Sequence, residues 1–169
     1  MKVLRQLVPA ILLMAIMLST TACNHTKNQQ EMKTENNDAI FPRGEKLPNN
    51  YFTGDAYLTP LLARDKNNDF VIGSVSFDPG ARTNWHTHPK GQVLIVTGGE
   101  GLYQQKGKSA QRIKKGDVIT IPENTEHWHG ASAHSNMTHI AITSFKGEEN
   151  VVWLQPVADS VYGEANNNN

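Results

Sequence analysis

The sequence contains very little cysteine: one thiol occurs in 169 residues, at Cys23. Disulfides therefore contribute nothing to the stability of the chain that follows it. The residues before it have the order of a secretory signal peptide, with basic Lys2 and Arg5, an apolar run at 7–18 and then small residues. We predict a signal peptide of the lipoprotein type at 1–22, which makes Cys23 the first mature residue.

No apolar run near this leader is long enough to cross a membrane, because twelve residues are too few to span a bilayer. The letters "STTAC" resemble a bacterial lipobox, although Thr20 stands where leucine is more usual. We predict that Cys23 is lipidated and that the protein is a membrane-anchored lipoprotein of the bacterial cell envelope, attached without spanning the bilayer. Plain cleavage, which would give a soluble periplasmic or secreted protein, is the alternative.

The chain also lacks an excess of basic residues. Lys and Arg number 16, and so do Asp and Glu, and without the leader the counts become 14 and 16. No basic stripe runs along any segment, which argues against nucleic acid as a partner.

Amphipathic helices of three turns are absent from the sequence pattern, and the two ends are poor in apolar residues. We predict a flexible tether at 23–40, a single domain at 41–165 and a disordered tail at 166–169. Within the domain, glycine- and proline-marked turns separate eight runs rich in Val, Ile, Thr and aromatic residues. These predicted strands are "DAYLTPLLA", "DFVIGSVSF", "GQVLIVTG", "GLYQQ", "DVITIP", "EHWHGAS", "MTHIAITSF" and "NVVWLQPV". The pattern indicates an all-β domain, either a barrel or a sandwich.

Histidine carries the chemical signal. Two H-x-H pairs occur, His86 with His88 and His127 with His129. Residues two apart in a strand point to the same face, so each pair can direct two imidazoles into one interior. Neutral imidazole is a good ligand for divalent first-row transition metals. One such pair arises readily by chance, but two in one small domain favour a metal site.

The surrounding letters resemble the two motifs of the cupin superfamily. In "GARTNWHTHPKGQVLIVTGG" the glycines and histidines of the first motif are in place, and Gln92 occupies its glutamate position. In "GDVITIPENTEHWHGA" the second motif is matched by Gly116, Pro122 and His127, while Asn124 and Ala131 depart from it. The resemblance implies a single-domain cupin with a jelly-roll β-barrel. It also implies one metal ion inside the barrel, with four ligands: His86, His88, Gln92 and His127.

The likeness extends to the small bacterial cupins that include manganese-dependent hydroxynitrile lyases. In that group glutamine is a ligand and a histidine in the sequence "MTH" acts as the base, which implies this role for His139. His129 is a candidate for lining the cavity. Thr83 is a candidate for donating a hydrogen bond to substrate, and a threonine that caps its own turn is an equal alternative.

The chemistry of Gln92 can be argued without the resemblance. A glutamate ligand would cancel one charge of a divalent cation, whereas an amide oxygen leaves the full charge to polarise a bound oxygen and stabilise an anion. A histidine such as His139, whose ordinary pKa lies near neutral pH, suits the accompanying proton transfer. Manganese is the favoured metal, with iron, cobalt, nickel and zinc as the other candidates.

We therefore expect a metal-dependent cupin enzyme acting on a small molecule, most concretely by hydroxynitrile-lyase-like cleavage or formation of a C–C bond at a metal-bound hydroxyl or carbonyl. An oxygenase or decarboxylase on the same ligands is one alternative, and a non-catalytic lipoprotein that binds a small molecule or metal is another. We also expect a homodimer.

Overall fold

The computed structural model describes residues 40–167. The predicted signal peptide, Cys23 and all of the predicted tether except Ile40 lie outside the described residues, as do Asn168 and Asn169. Within 40–167 no helix is long and apolar enough to cross a membrane.

Short strands make up most of the ordered structure between residues 40 and 167, and one helix follows them. In chain order they are β1 (Glu45–Lys46), β2 (Phe52–Thr53), β3 (Ala56–Leu62), β4 (Phe70–Phe77), β5 (Arg82–Thr83), β6 (His86–Thr87), β7 (Gln92–Gln105), β8 (Gln111–Lys114), β9 (Val118–Ile121), β10 (His127–Ala131), β11 (Met137–Ser144), β12 (Val152–Trp153) and α1 (Asp159–Asn167). The predicted all-β class is confirmed.

The strands are antiparallel and curl into two packed layers. The main path of hydrogen-bonded neighbours is β1-β3-β4-β11-β7-β10-β5-β2. Strand β9 also pairs with β7, as does β8, whereas β6 lies between β10 and β12. This arrangement is the predicted single-domain jelly-roll barrel.

Strand β7 belongs to both layers. Its first half pairs with β11 and β9, and its second half pairs with β10 and β8. The segment "TGGEG" was predicted to be a turn between two strands, but the chain continues through it as one strand of 14 residues. Gly99 supplies the change of direction, with a φ of 67° that a side chain would disfavour.

A β-bulge sets the register between β7 and β11. Thr138 lies opposite Gly98 and His139 opposite Val96, which leaves Thr97 as the extra residue. The hydroxyl of Thr97 donates to the carbonyl of Thr138 at 3.2 Å. The bulge thus fixes which residues of β11 face the interior.

Two buried clusters pack on opposite faces of the β7–β10 layer. The inner cluster fills the barrel and includes Phe77, Leu94 and Val96. The outer cluster lies under helix α1 and includes Trp128 and Tyr162. Because neighbouring residues of a strand point to opposite faces, Trp128 faces away from the histidines on either side of it.

Helix α1 is fastened to the barrel by polar contacts. Tyr162 donates its hydroxyl to the carbonyl of Ala131 at 2.8 Å, and the Arg82 guanidinium pairs with Asp159. Asn166 accepts a hydrogen bond from the Ala133 amide at 2.9 Å. Residues 166 and 167, which were predicted to belong to a disordered tail at 166–169, are part of this helix.

The position where Asn124 replaces the motif glycine has a left-handed backbone. Its φ is 58°, and its amide donates to the carbonyl of His88 at 2.9 Å. The Gly91 amide donates to the same carbonyl at 3.1 Å, also with positive φ. Asparagine is one of the few residues with a side chain that tolerates this conformation.

An Asn124→Ala variant should therefore lose about 1 kcal/mol of unfolding free energy, because alanine strains a left-handed backbone. The side chain is exposed, so its removal costs no buried contact. Asn124→Gly, the matched control, should stay within about 0.5 kcal/mol of the parent protein. Urea denaturation of the metal-free proteins measures both. Equal stability of the alanine and glycine variants would contradict this explanation.

Candidate metal centre

Strand β10 directs two of its imidazoles into the barrel. His127 and His129 lie on its inner face, and both are buried. Trp128, between them, lies on the outer face and is fully buried there. Its indole N–H donates to the Gln104 side-chain oxygen at 2.8 Å. The predicted alternation of this segment is confirmed.

Strand β6 brings His86 to the same place. His86 lies directly opposite His127 in the pairing of β6 with β10, and the centroids of the two rings are 4.1 Å apart. On the neighbouring strand β12, the centroid of the Trp153 ring is 4.9 Å from that of the His86 ring. Packing between these rings leaves the His86 imidazole little freedom to rotate.

His88 lies just beyond the end of β6. Its ring centroid is 5.0 Å from that of His86 and 5.6 Å from that of His127. The carbonyl of His88 accepts the two amide hydrogen bonds described above, from Gly91 and Asn124, so its backbone is held on both sides. The turn then leads directly into Gln92, the first residue of β7.

The three predicted histidine ligands share one hydrogen-bonding arrangement. Each imidazole has its Nδ1 next to a backbone carbonyl: Asn84 at 2.9 Å for His86, Asn150 at 2.5 Å for His88, and Thr125 at 2.8 Å for His127. A neutral imidazole that donates from Nδ1 carries its lone pair on Nε2. These carbonyls therefore prepare the Nε2 atoms to act as ligands.

Three buried acceptors on the predicted metal ligands have no hydrogen-bond partner: His88 Nε2, His127 Nε2 and Gln92 Oε1. Buried polar atoms are seldom left without a partner, and each one requires an explanation. A divalent cation would satisfy all three at once. The donor set of imidazole nitrogens and an amide oxygen therefore fits the predicted metal.

A second trio of imidazoles also meets the distance requirement for a metal. The ligand atoms of His86, His127 and His129 lie within 4.8 Å of one another. His129 was predicted only to line the cavity, so the structure offers it as an alternative ligand to His88. The Nδ1 partner of His88 is a backbone carbonyl, whereas Nδ1 of His129 lies 3.3 Å from a second imidazole nitrogen, Nε2 of His139.

His139 is fully buried on β11 and extends the cluster. Its ring centroid is 4.8 Å from that of His129 and 5.7 Å from that of Phe77. The five residues His86, His88, His127, His129 and His139 are called the imidazole cluster below. Among the described residues that are buried, none is an aspartate or a glutamate.

Burial keeps the cluster uncharged. It lowers the pKa of His127 and the pKa of His139 to about 4, although backbone carbonyl contacts oppose it. The pKa values of His86 and His129 are also lowered well below the ordinary value, first by burial and then by the neighbouring imidazoles. The pKa of His88 is also lowered by burial, against the effect of its Asn150 and Gln92 contacts. The expectation that the pKa of His139 lies near neutral pH is therefore wrong, because burial lowers it.

Thr83 lies beside the cluster but is already engaged. Its hydroxyl oxygen accepts a hydrogen bond from the His129 backbone amide at 3.2 Å, and the side chain is buried. The neighbouring Arg82 forms the ion pair with Asp159, as expected for a structural arginine. A substrate contact of Thr83 stays a prediction.

Sequence reasoning missed Thr143, which contacts Gln92. The amide Nε2 of Gln92 donates to Thr143 Oγ1 at 3.1 Å. Strand alternation could have found it, because Thr143 is four residues after His139 and shares its face. A groove of about 390 Å³ beside Lys106 and Val161 contains none of the candidate residues.

The lowered pKa values predict that metal-free protein loses stability as the pH falls. Unfolded imidazoles bind protons below their ordinary pKa of about 6.5, whereas His127 and His139 in the native protein stay neutral until about pH 4. Between these values the unfolded state holds more protons, so unfolding free energy declines by about 1.4 kcal/mol per pH unit for each histidine. Urea denaturation at several pH values measures the slope.

In a His139→Ala variant, the slope of unfolding free energy against pH should be smaller by the contribution of one histidine, about 1.4 kcal/mol per pH unit. His134→Ala is the matched control, because that imidazole is exposed, and its slope should equal that of the parent. An unchanged slope in His139→Ala would contradict the neutral assignment.

The two sets of ligands predict different metal contents. If the four residues of the resemblance bind the metal, His88→Ala, Gln92→Ala and His127→Ala should each weaken binding by at least the roughly 10–100-fold typical of losing an outer-shell partner. His129→Ala should keep its metal. Elemental analysis of the purified variants decides, and metal loss from His129→Ala with retention in His88→Ala would replace the first set by the second.

Comparison with known proteins agrees with the fold. The family model of the cupin domain matches residues 73–143, a range that includes every residue of the imidazole cluster. An (R)-mandelonitrile lyase from Granulicella tundricola is 42% identical over 117 residues, which are 69% of this chain and 89% of that protein.

Solved structures give the same answer. A cupin-like protein from Thermotoga maritima is 44% identical, with a TM-score of 0.72 over 76% of this chain and 97% of that one. A cupin 2 conserved barrel protein from Rhodopseudomonas palustris, at 19% identity and a TM-score of 0.56, shares the fold over 68% of this chain and 77% of its own. The chain therefore belongs to the cupin family.

Proposed function

We propose that this cupin is a metal-dependent lyase that cleaves or forms the C–C bond of a cyanohydrin. The observation that carries the proposal is the buried donor set of neutral groups, with no buried carboxylate among the described residues and with His139 beside it. The similarity to an (R)-mandelonitrile lyase supports the same chemistry.

The residues that would hold the metal are His86, His88, Gln92 and His127. A divalent cation supplies a positive charge that polarises the substrate oxygen and stabilises the negative charge that develops there. None of these four side chains carries a negative charge, so the whole charge of the cation remains available. Manganese is the metal we favour, because an amide carbonyl suits this ion among the transition metals.

His139 is proposed as the group that moves the proton. Its Nε2 faces the imidazole cluster and contacts His129, so this atom is the one positioned to accept the hydroxyl proton of the substrate. As the proton leaves, the oxygen becomes a carbonyl, the C–CN bond breaks and cyanide departs with the bonding electron pair. His139 then returns the proton to cyanide, and the products are an aldehyde and hydrogen cyanide.

The lowered pKa of His139 keeps the imidazole neutral and favours the return of the proton, although it makes the ring a weaker base than an ordinary histidine. An imidazole with a pKa of about 4 is neutral at physiological pH and is therefore able to accept a proton. Once protonated in its buried position, it loses the proton readily, which favours delivery to the departing cyanide.

The walls around His139 indicate the class of substrate. The Phe77 ring lies 5.7 Å from the His139 ring and 5.9 Å from the His129 ring, and Val96 pairs with His139 across the sheet. Both side chains belong to the inner hydrophobic cluster. Such walls favour a cyanohydrin with an apolar organic group, and an aromatic one such as mandelonitrile is the first to test.

The predicted cellular setting accompanies this proposal. The leader and Cys23 support an exported lipoprotein, with a soluble periplasmic or secreted form as the alternative, and the working assembly we propose is a homodimer. An oxygenase or decarboxylase on the same ligands would consume oxygen or release carbon dioxide. A binding protein would do neither and would release no aldehyde.

A His139→Ala variant should keep its metal and lose catalysis, because the ligands stay in place while the proton acceptor is removed. Loss of a general base typically lowers the rate by about 10²–10⁴-fold. The assay measures aldehyde released from mandelonitrile by the manganese-loaded protein, with His134→Ala as the control at an exposed histidine.

Each other outcome has a defined meaning. Full activity in His139→Ala would remove this residue from the mechanism. A metal-loaded parent protein that releases no aldehyde would reject the lyase and leave the metal centre intact.

A further inference from the structure

Gln92 and Thr143 form a cross-strand pair at the end of the β7–β11 ladder. The two residues lie directly opposite each other, and the Gln92 amide nitrogen donates to Thr143 Oγ1 at 3.1 Å. Gln92 is 8% exposed and Thr143 is 5% exposed, so water has little access to either. The opposite end of the amide, Oε1, is the buried acceptor that has no partner.

A glutamine side chain has two chemically different ends. Its oxygen is able to bind a cation, whereas its NH₂ group is a donor only. When the oxygen faces a metal, the buried nitrogen needs an acceptor of its own, or it remains unsatisfied at a substantial energetic cost. Thr143 Oγ1 is the acceptor that the structure provides.

We propose that Thr143 is a positioning residue: it holds the amide nitrogen of Gln92 so that the amide oxygen faces the metal. The inference rests on the role of Gln92 as a ligand under the proposed function. It assigns Thr143 no contact with substrate, and its effect passes through Gln92 alone.

The β-bulge makes this arrangement a consequence of the fold. From His139 onward, the register places Val96 opposite His139, Leu94 opposite Ala141 and Gln92 opposite Thr143. Without the bulge, the register set by Gly98 and Thr138 would continue unshifted and would place Ser144, not Thr143, opposite Gln92. One irregularity thus positions both the proposed base and the partner of the ligand.

The direct test is a titration of metal-free protein with Mn²⁺. The electron paramagnetic resonance signal of free Mn²⁺ measures how much of the ion remains unbound. Thr143→Val preserves the shape of the side chain and removes the hydroxyl. We expect Mn²⁺ to bind about 10–100-fold more weakly, the usual effect of losing an outer-shell partner. Thr143→Ser keeps the hydroxyl and should restore affinity to within about threefold of the parent, a smaller change than the loss expected for Thr143→Val.

Thr97→Val is the matched control. It removes another buried threonine hydroxyl from the same strand pair, and this hydroxyl bonds to a backbone carbonyl and to no candidate ligand. Its Mn²⁺ affinity should equal that of the parent even where its unfolding free energy is lower. A similar loss of affinity in Thr97→Val and Thr143→Val would show a general effect of disturbing the ladder and would overturn the proposal.

The Gln92→Ala background separates this proposal from the ligand assignment. In that background no amide is present to be positioned, so adding Thr143→Val should leave the remaining Mn²⁺ affinity unchanged. A further loss there, or parental affinity in Thr143→Val alone, would overturn the role of Thr143. Parental affinity in Gln92→Ala alone would instead reject Gln92 as a ligand and, with it, this inference.

Discussion

The burial of five imidazoles without a counter-charge is the constraint on which the rest of the structure depends. Each ring of the imidazole cluster is neutral because burial disfavours its cationic form, and a neutral imidazole must donate from one nitrogen and accept at the other. Backbone carbonyls of three loop residues meet the first requirement for His86, His88 and His127. The second requirement is not met within the protein at Nε2 of His88 and of His127, so these two atoms are available as ligands.

Strand register converts this constraint into a site. The pairing of β6 with β10 places His86 opposite His127, and the bulged pairing of β7 with β11 places His139 and Gln92 on one inner face. His86 and His127 therefore come from one layer, whereas Gln92 and His139 come from the other. His129 joins them, since it is near His86 and His127 and also contacts His139.

Much of this could be predicted from the sequence, because it depends on local pattern. Alternation placed His127 and His129 on one face, and the motif spacing placed Gln92 near the histidines. Three features escaped: the continuity of β7 through its glycines, the helix near the C-terminus and the partner Thr143. Each depends on pairing between segments far apart in the chain, which no window of residues contains. The pKa of His139 was misjudged for the same reason, since its burial comes from Phe77 and other distant residues.

The passage of β7 through both layers has a consequence for how the barrel comes apart. Its 14 residues hold hydrogen bonds to β11 and β9 at one end and to β10 and β8 at the other. Neither layer is able to detach without breaking the strand that the other one shares. Loosening of one layer therefore removes hydrogen-bond partners from one half of a strand that the other layer also uses. The two layers are coupled through β7, and so are the ligands they carry, because His86 and His127 lie in one layer and Gln92 in the other.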